Sequence, residues 1–400
     1  MLMHLFKTIW NRKKSNSLII AEVAIAFIVV SSIATLGIRN YNLYVQPLGF
    51  EYQNMWNISF YGIGEKWQAD RDQPQLQQLI NLLKQQPEIE KVQLLKNPTF
   101  RNWRGSSSYK IDGKSIQFLR NSMDDDAPIT FGMKLVNGRW FGLQDQGQNY
   151  NPVIVNRHFA EEFFPGEDVI GKSITQNEKE EDASLKEQRI VGVFENFRQQ
   201  GEFNKLTPYV IYRYDVSEPK DSEIHNIELK MTPGTTKSYE ESLHKMLKSA
   251  APNWDFKVAP WKLIRQMALK ETMVPSIGIA VIGAFLIIMV AMGLFGVLWQ
   301  NISSRTQEIG LRRALGATAK GIHIQVISEL MIVTLLGITI ALILLIQLPI
   351  LGVFQELTWT LFWSGQLVSI LFMLLLSVLC AYYPGKLATA LSPAEALHYE

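Results

Sequence analysis

Few groupings in this chain have residue types and spacings that chemistry could use. Gly166–Ser173, read GEDVIGKS, satisfies the phosphate-cradling pattern G-x4-GK[ST]. That pattern works when a hydrophobic strand precedes it and a helix follows, so that backbone N–H groups converge on phosphate. Here HFAEEFFP precedes it and reads as helix, Glu167 and Asp168 would repel phosphate, and no apolar strand ending in Asp follows. A turn with Lys172 at the surface is expected instead. The histidines are scattered as His4, His158, His225, His244, His323 and His398, with no HExxH and no ligand-spaced pair. Asp124–Asp126 lacks the rest of a calcium loop and reads as a solvated loop. There is no G-x-S-x-G, and the single cysteine, Cys380, sits in an apolar run. No catalytic residue, cofactor-binding residue or metal ligand is read from the chain.

The remaining grouping is Ser303–Ala317, SSRTQEIGLRRALGA, a polar and basic stretch between two long apolar runs. Ser303 and Ser304 are helix-start residues, and Gln307 stands three after Ser304 as in a capping box. Glu308 and Arg312 are four apart in the favourable acid-first order. Leu311, Ala314, Leu315 and Thr318 make an apolar stripe at helical spacing, and Gly316-Ala317 offers a stop. The spacing predicts a short amphipathic helix at a membrane surface with an arginine face toward water. A solvated basic loop that only fixes topology would show much of the same pattern.

The elements that position this stretch are set by segregated hydropathy. The chain has 400 residues, 47% hydrophobic and 19% charged, with a formal charge of +2, which gives no reason to expect nucleic-acid binding. Long, nearly uncharged runs occur at about 17–38, 273–300, 322–348 and 361–383, each near the roughly 20 residues that span a bilayer. The first is too long for the apolar core of a signal peptide, about 7–15 residues, and is read as an uncleaved anchor. Trp10, with Lys7, Arg12, Lys13 and Lys14, reads as an interfacial lead-in. Arg305, Arg312, Arg313 and Lys320 flank the second and third runs, whereas 349–360 carries no basic residue. The asymmetry predicts both termini and the 303–317 loop in the cytoplasm and the block 39–272 outside. The fold expected is therefore an α-helical membrane protein with four transmembrane helices, one N-terminal and three C-terminal. A large mixed α/β extracytoplasmic domain is inserted between helices 1 and 2.

The outer block shows two β-α-β patterns. One is Met55–Phe60, a helix at 75–86 with Leu76, Leu79, Ile80 and Leu83 on one face, and Val92–Leu95. The other is Ile227–Met231, a helix near Tyr239–Ser249, and Phe256–Ala259. We read them as halves of one subdomain with a β-rich insertion at about 97–223. Within it, Asp112-Gly113 joins Tyr109–Ile111 to Ser115–Phe118 as a hairpin, Val153–Val155 and Arg189–Phe194 are buried strands, and His158–Phe164 is a short helix. Segment 261–272 has helical spacing and runs into the second membrane helix, as a stalk or a plain connector, with Pro275 near a bend. Glu22 is an acid in the first membrane helix, either functional or simply close to the interface. With Gly283, Gly293 and Gly296, it forms a candidate intramembrane interface, since small residues permit close helix packing.

The motif EIGLRRALGA, preceded by Arg305, resembles the cytoplasmic loop of the FtsX/MacB superfamily of ABC-transporter permeases. LVNGRWF, then VIVNRHFAEEFFPGEDVIGKSI, then RIVGVFENF follow in the order seen in the periplasmic core domain of MacB-type members. The ending SPAEALHYE is also similar, although His398 stands where a basic residue is usual. The resemblance covers nearly the whole chain, with an FtsX-like part at 273–400. It implies that 303–317 is a coupling helix docking on a separate cytoplasmic ABC ATPase, with Arg305, Glu308, Ile309, Gly310, Leu311, Arg312, Arg313, Ala314, Leu315 and Gly316 as the coupling residues. It also implies a non-catalytic inner-membrane permease with the large domain periplasmic, ATP and magnesium held by the partner, and a homo- or heterodimer of permeases in the lipid bilayer. Mechanotransmission would serve export of drugs, peptides or other envelope substrates, or release of lipoproteins, with a periplasmic adaptor or lipoprotein as a further partner. A ligand-sensing receptor without an ATPase is the rival from another class.

Overall fold

The computed structural model describes residues 13–62, 68–101, 106–111, 114–174, 186–215, 224–304, 306–354 and 356–390. Lys7, Trp10, Arg12, the Asp112-Gly113 turn, Arg305 and the ending SPAEALHYE lie outside these residues. Contacts divide the chain into an α/β unit, Leu43–Thr272, and a helical unit made of Met1–Asn42 with Met273–Glu400.

In the α/β unit, β1 (Met55–Gly62), α2 (Ala69–Lys84) and β2 (Ile89–Leu94) form one β-α-β half. β9 (Asn226–Met231), α5 (Tyr239–Ala250) and β10 (Trp254–Pro260) form the other. The halves interleave as an antiparallel sheet of order β10-β1-β9-β2, with Ile58 opposite both Val258 and Ile227. This is a split β-α-β arrangement. Periodicity explains its helical layer. Leu76, Leu79, Ile80 and Leu83 on α2, with Leu243 and Leu247 on α5, pack into one core with Ile58, Phe60 and Leu229. Each such side chain contributes about 1.5–3 kcal/mol by leaving water. The Asp72 carboxylate accepts the Gln68 N–H at 2.8 Å and holds the start of α2.

Between the halves stand β3 (Ser106–Ile111), β4 (Lys114–Met123), α3 (Ala127–Thr130), β5 (Leu135–Gly138), β6 (Tyr150–Asn156), α4 (Arg157–Phe163), β7 (Glu187–Phe194) and β8 (Tyr209–Arg213). Their strands make a mixed sheet of order β3-β4-β8-β6-β7-β5. Asn156 starts α4 by accepting the Phe159 N–H at 3.0 Å. Gly138, at φ +74, and Gly192 let β5 and β7 close up, since a Cβ on Gly138 would lie 2.9 Å from the Gly192 Cα. The glycines of LVNGRWF and RIVGVFENF therefore serve sheet packing.

The helical unit comprises α1 (Lys13–Tyr44), α6 (Trp261–Ser303), α7 (Thr306–Ala314), α8 (Ala319–Leu345), the one-turn α9 (Gln347–Ile350) and α10 (Trp359–Ala390). Helices α1 and α6 run on into the α/β unit. Four of these helices, α1, α6, α8 and α10, are long and apolar enough to cross a membrane. Helix α6 has 43 residues and continues through Pro275 without interruption. At about 1.5 Å per residue its length is roughly twice the hydrocarbon thickness of about 30 Å.

Helix α1 is the hub. A Cβ on Gly283 of α6 would meet Ile33, one on Gly337 of α8 would meet Val23, and one on Gly365 of α10 would meet Thr35. Gln366 donates to Ser31 Oγ at 2.6 Å, and the Thr334 and Ser377 hydroxyls lie 2.9 Å apart.

Candidate functional site

Helix α7 occupies the middle of the 303–317 stretch and is built from sequence-local interactions. Arg312 donates to Glu308 Oε1 at 2.6 Å, the expected four-residue pair. The same guanidinium donates to Gln325 Oε1 on α8 at 3.1 Å, and Gln325 in turn donates to Glu329 at 3.1 Å. The helix ends as the sequence suggests. Gly316 takes φ +96, and the Ala317 N–H reaches back to the Arg312 carbonyl at 3.0 Å. Thr318 then accepts the Gly321 N–H at 3.1 Å and starts α8.

The N–H of Ser304 donates to the Gln300 carbonyl at 3.0 Å, and α7 begins at Thr306, just after Arg305, which lies outside the described residues.

Of the named coupling residues, Gly310 is buried, Ile309 is half-buried, and Glu308, Ala314 and Gly316 are exposed. Leu311 is 53% exposed and Leu315 80% exposed. Arg313 lies in α7, and Arg305 is outside the described residues. The arrangement offers a small apolar face beside a fixed acid–base pair. Arg312 is engaged inside the chain, whereas Leu311 and Leu315 face outward.

The candidate intramembrane residues divide. A Cβ on Gly293 would lie 2.2 Å from Glu22 Oε1, so this glycine makes room for the carboxyl between α1 and α6. Gly283 does the same for Ile33, whereas a Cβ on Gly278 or Gly296 would meet nothing within 4 Å among the described residues.

Gly166–Ser173 follows α4 as a turn, with Gly166 and Gly171 at φ +78 and +84. Lys172 pairs with Glu167 and lies 4.7 Å from the Phe164 ring centroid. The strand–loop–helix that phosphate binding needs is replaced by helix–turn. Among the described residues no group of three His, Cys, Asp or Glu side chains is placed to hold a metal ion.

Several buried polar groups of the α/β unit escaped sequence reasoning. Glu228 on β9 accepts from Asn57 Nδ2 at 2.9 Å and from Trp261 Nε1 at 2.6 Å. Burial pushes its carboxyl up to about 8, against the pull of those two donors and of Arg101. Asp124, half-buried with its Oδ1 out of solvent, accepts the Leu94 N–H through Oδ2 at 2.9 Å and is pushed up to about 7. Arg198 donates to the carbonyls of Leu43, Gln46, Glu202 and Asn204. One signal was available. Strand alternation puts Asn57, Ser59, Asn226 and Glu228 together on the face away from α2 and α5. That face is buried too.

Comparison with known proteins bears on both units. Residues 18–245, more than half of the chain, match the family of the MacB-like periplasmic core domain, and 279–393 match the FtsX-like permease C-terminal domain. The macrolide export ATP-binding/permease protein MacB of Aggregatibacter actinomycetemcomitans is 27% identical over 210 residues, covering 52% of this chain and 31% of that protein. The protein of the same name from Bordetella avium is 22% identical over 309 residues, covering 74% and 45%. The chain thus spans less than half the length of these relatives. The crystal structure of the periplasmic region of MacB from Actinobacillus actinomycetemcomitans has 19% identity and a TM-score of 0.37, over 56% of this chain and 97% of that one.

Proposed function

The chain belongs to the MacB-type family of ABC-transporter permeases, with an FtsX-like C-terminal domain, and from that premise we propose that it couples a separate cytoplasmic ATPase to movement of its α/β unit. The observation that carries the proposal is α7, with Leu311 and Leu315 exposed beside the Glu308–Arg312 pair between two helices long enough to span a bilayer. Exposed leucines on a helix of fixed geometry fit an apolar groove, and the neighbouring charges set orientation. Closure of two ATPases would push on α7 in each of two permeases, homo- or heterodimeric. The membrane helices would relay that push to the α/β unit on the periplasmic side of the inner membrane. The permease itself is non-catalytic in this reading, with ATP and magnesium on the partner. Relatives carry macrolide export in their name, and we assign export of drugs, peptides or other envelope substrates as the work done.

The experiment is affinity capture of the tagged full chain from native membranes in mild detergent, followed by mass spectrometry. A stoichiometric P-loop ATPase that is lost with Leu311→Ser plus Leu315→Ser supports the reading. Capture of other membrane complexes without any ATPase would overturn it and favour a receptor.

A further inference from the structure

The buried arginine of the α/β unit has an unusual set of partners. Arg198 is almost wholly buried, with the Glu202 carboxylate close enough to act on its charge, and its guanidinium bonds to four backbone carbonyls. Two of them, of Leu43 and Gln46, belong to the last turn of α1 and the residues just beyond it, at 2.8 and 3.2 Å. The carbonyl end of a helix carries partial negative charge and orphan acceptors, so a cation there caps it. The other two, of Glu202 and Asn204, belong to the loop after β7.

The same loop holds the start of α6. The Glu202 carboxylate, itself buried, pairs with Arg265 Nε, one turn after Trp261. Arg265 also lies over the Tyr52 ring at 4.7 Å, and the Tyr44 and Phe203 rings stack at 6.1 Å. Glu202 is therefore a joint. Its carbonyl is bonded by the arginine that caps α1, and its side chain is bonded by an arginine of α6.

We propose that the 198–204 segment is a clasp that fixes the exit of α1 to the root of α6, so that displacing either helix at this level displaces the other. Arg198 and Glu202 are positioning residues in this assignment. Charge-assisted bonds from a planar guanidinium to several fixed acceptors resist shear better than apolar contact, which slides at little cost. The clasp rests on the coupling reading only for its purpose, because its geometry exists without any ATPase.

The test is hydrogen exchange with mass spectrometry on the full chain in nanodiscs, with no partner present, so its failure is separate from failure of the ATPase reading. Arg265→Gln removes the α6 side of the joint and leaves Arg198 untouched. The clasp requires exchange about tenfold faster in residues 42–52, besides faster exchange in 199–204 and 261–268, as expected when a charge-assisted bond to a cooperative segment is lost. Arg198→Lys should loosen the same 42–52 segment, and the double variant should loosen it by less than the product of the two single effects. Lys262→Gln, an exposed neighbour on the first turn of α6, should leave 42–52 as in the unaltered protein. If Arg265→Gln speeds exchange only in 199–204 and 261–268, the two attachments are independent and the clasp is wrong.

Discussion

Trp261, the first residue of α6, donates its indole N–H to Glu228 Oε2 across 2.6 Å, and both residues are shut off from solvent. The indole stands among Phe50, Phe100 and Phe131, with ring centroids 5.7, 6.0 and 5.4 Å away. The root of α6 is thus held by an aromatic cage on one side and a carboxyl group on the other. Asp124 closes a second contact by accepting the Leu94 N–H, and Leu95 bridges to Met123. Glu228 thus sits at the root of α6, and Asp124 where the two sheets of the α/β unit touch.

Those acids make stability fall with rising pH. Burial raises Glu228 from 4.5 to about 8 and Asp124 from 3.8 to about 7. Between the unfolded and folded values the folded state binds more protons, so their contribution is full in acid and is lost as pH rises through about 7 and then about 8. Thermal unfolding of the full chain in detergent should show a melting temperature that declines between pH 6 and 9, values that bracket both groups (about one unit on each side). Glu228→Gln, neutral throughout, should flatten the upper part of that decline. A melting temperature that rises over the range would contradict protonated acids at these two positions.

Trp261→Phe keeps a ring in the cage and removes one donor from Glu228. The unsatisfied oxygen should cost about 1–3 kcal/mol. The donor favours the charged form, so its loss should move the pH decline upward as well as lower the melting temperature. An unchanged pH midpoint would mean that the indole does not address the carboxyl group.

Much of this architecture was legible before the structure, for a physical reason. Spans, amphipathic helices and hairpins are written in local periodicity, and Leu76, Leu79, Ile80 and Leu83 report their shared face directly. The turn at Gly166–Ser173 could be told from a phosphate loop because HFAEEFFP carries a helical pattern. Contacts such as Arg198 to the Leu43 carbonyl, 155 residues apart, leave no periodic trace. Glu228 misleads because alternation marks it as belonging to the face opposite the helices, which a two-layer unit exposes, and here the Trp261 indole lies against it. Helical spacing at 261–272 already marks that segment as running into the second membrane run, and the structure joins the two in α6, but the anchoring of its first turns by Trp261 and Arg265 leaves no such trace.

The membrane glycines should sort by what they touch. Gly293→Leu has to displace the Glu22 carboxyl, and Gly337→Leu meets Val23 and the Ile20 carbonyl, so each should lower the melting temperature of the detergent-solubilised chain. Overpacking of this kind typically costs about 1–3 kcal/mol. Gly278→Ala and Gly296→Ala meet no neighbour among the described residues and should leave the melting temperature unchanged. Should Gly296→Ala instead weaken association of two copies in a dimer assay, that position is a contact between permeases. If Gly293→Leu melts like the unaltered protein, α1 and α6 are not packed as described.

The end of α7 gives the sharpest test of the coupling surface, because it separates shape from charge. Gly316 holds φ +96, which a side chain resists, so Gly316→Ala should strain the turn by roughly 1 kcal/mol and shift the whole of α7 against α8. Leu315→Ser removes the most exposed apolar group without touching the backbone or the Glu308–Arg312 pair. Arg312→Gln breaks that pair and the bond to Gln325 while leaving both leucines in place. With the partner ATPase reconstituted beside each variant in nanodiscs, Leu315→Ser should weaken binding by about 1.5–3 kcal/mol, the value of one buried leucine. Arg312→Gln should change the fraction of hydrolysis coupled to movement more than it changes affinity, since it frees the orientation of α7 and not its apolar face. Equal loss of affinity in both variants would put the arginine, as well as the leucine, in direct contact with the ATPase.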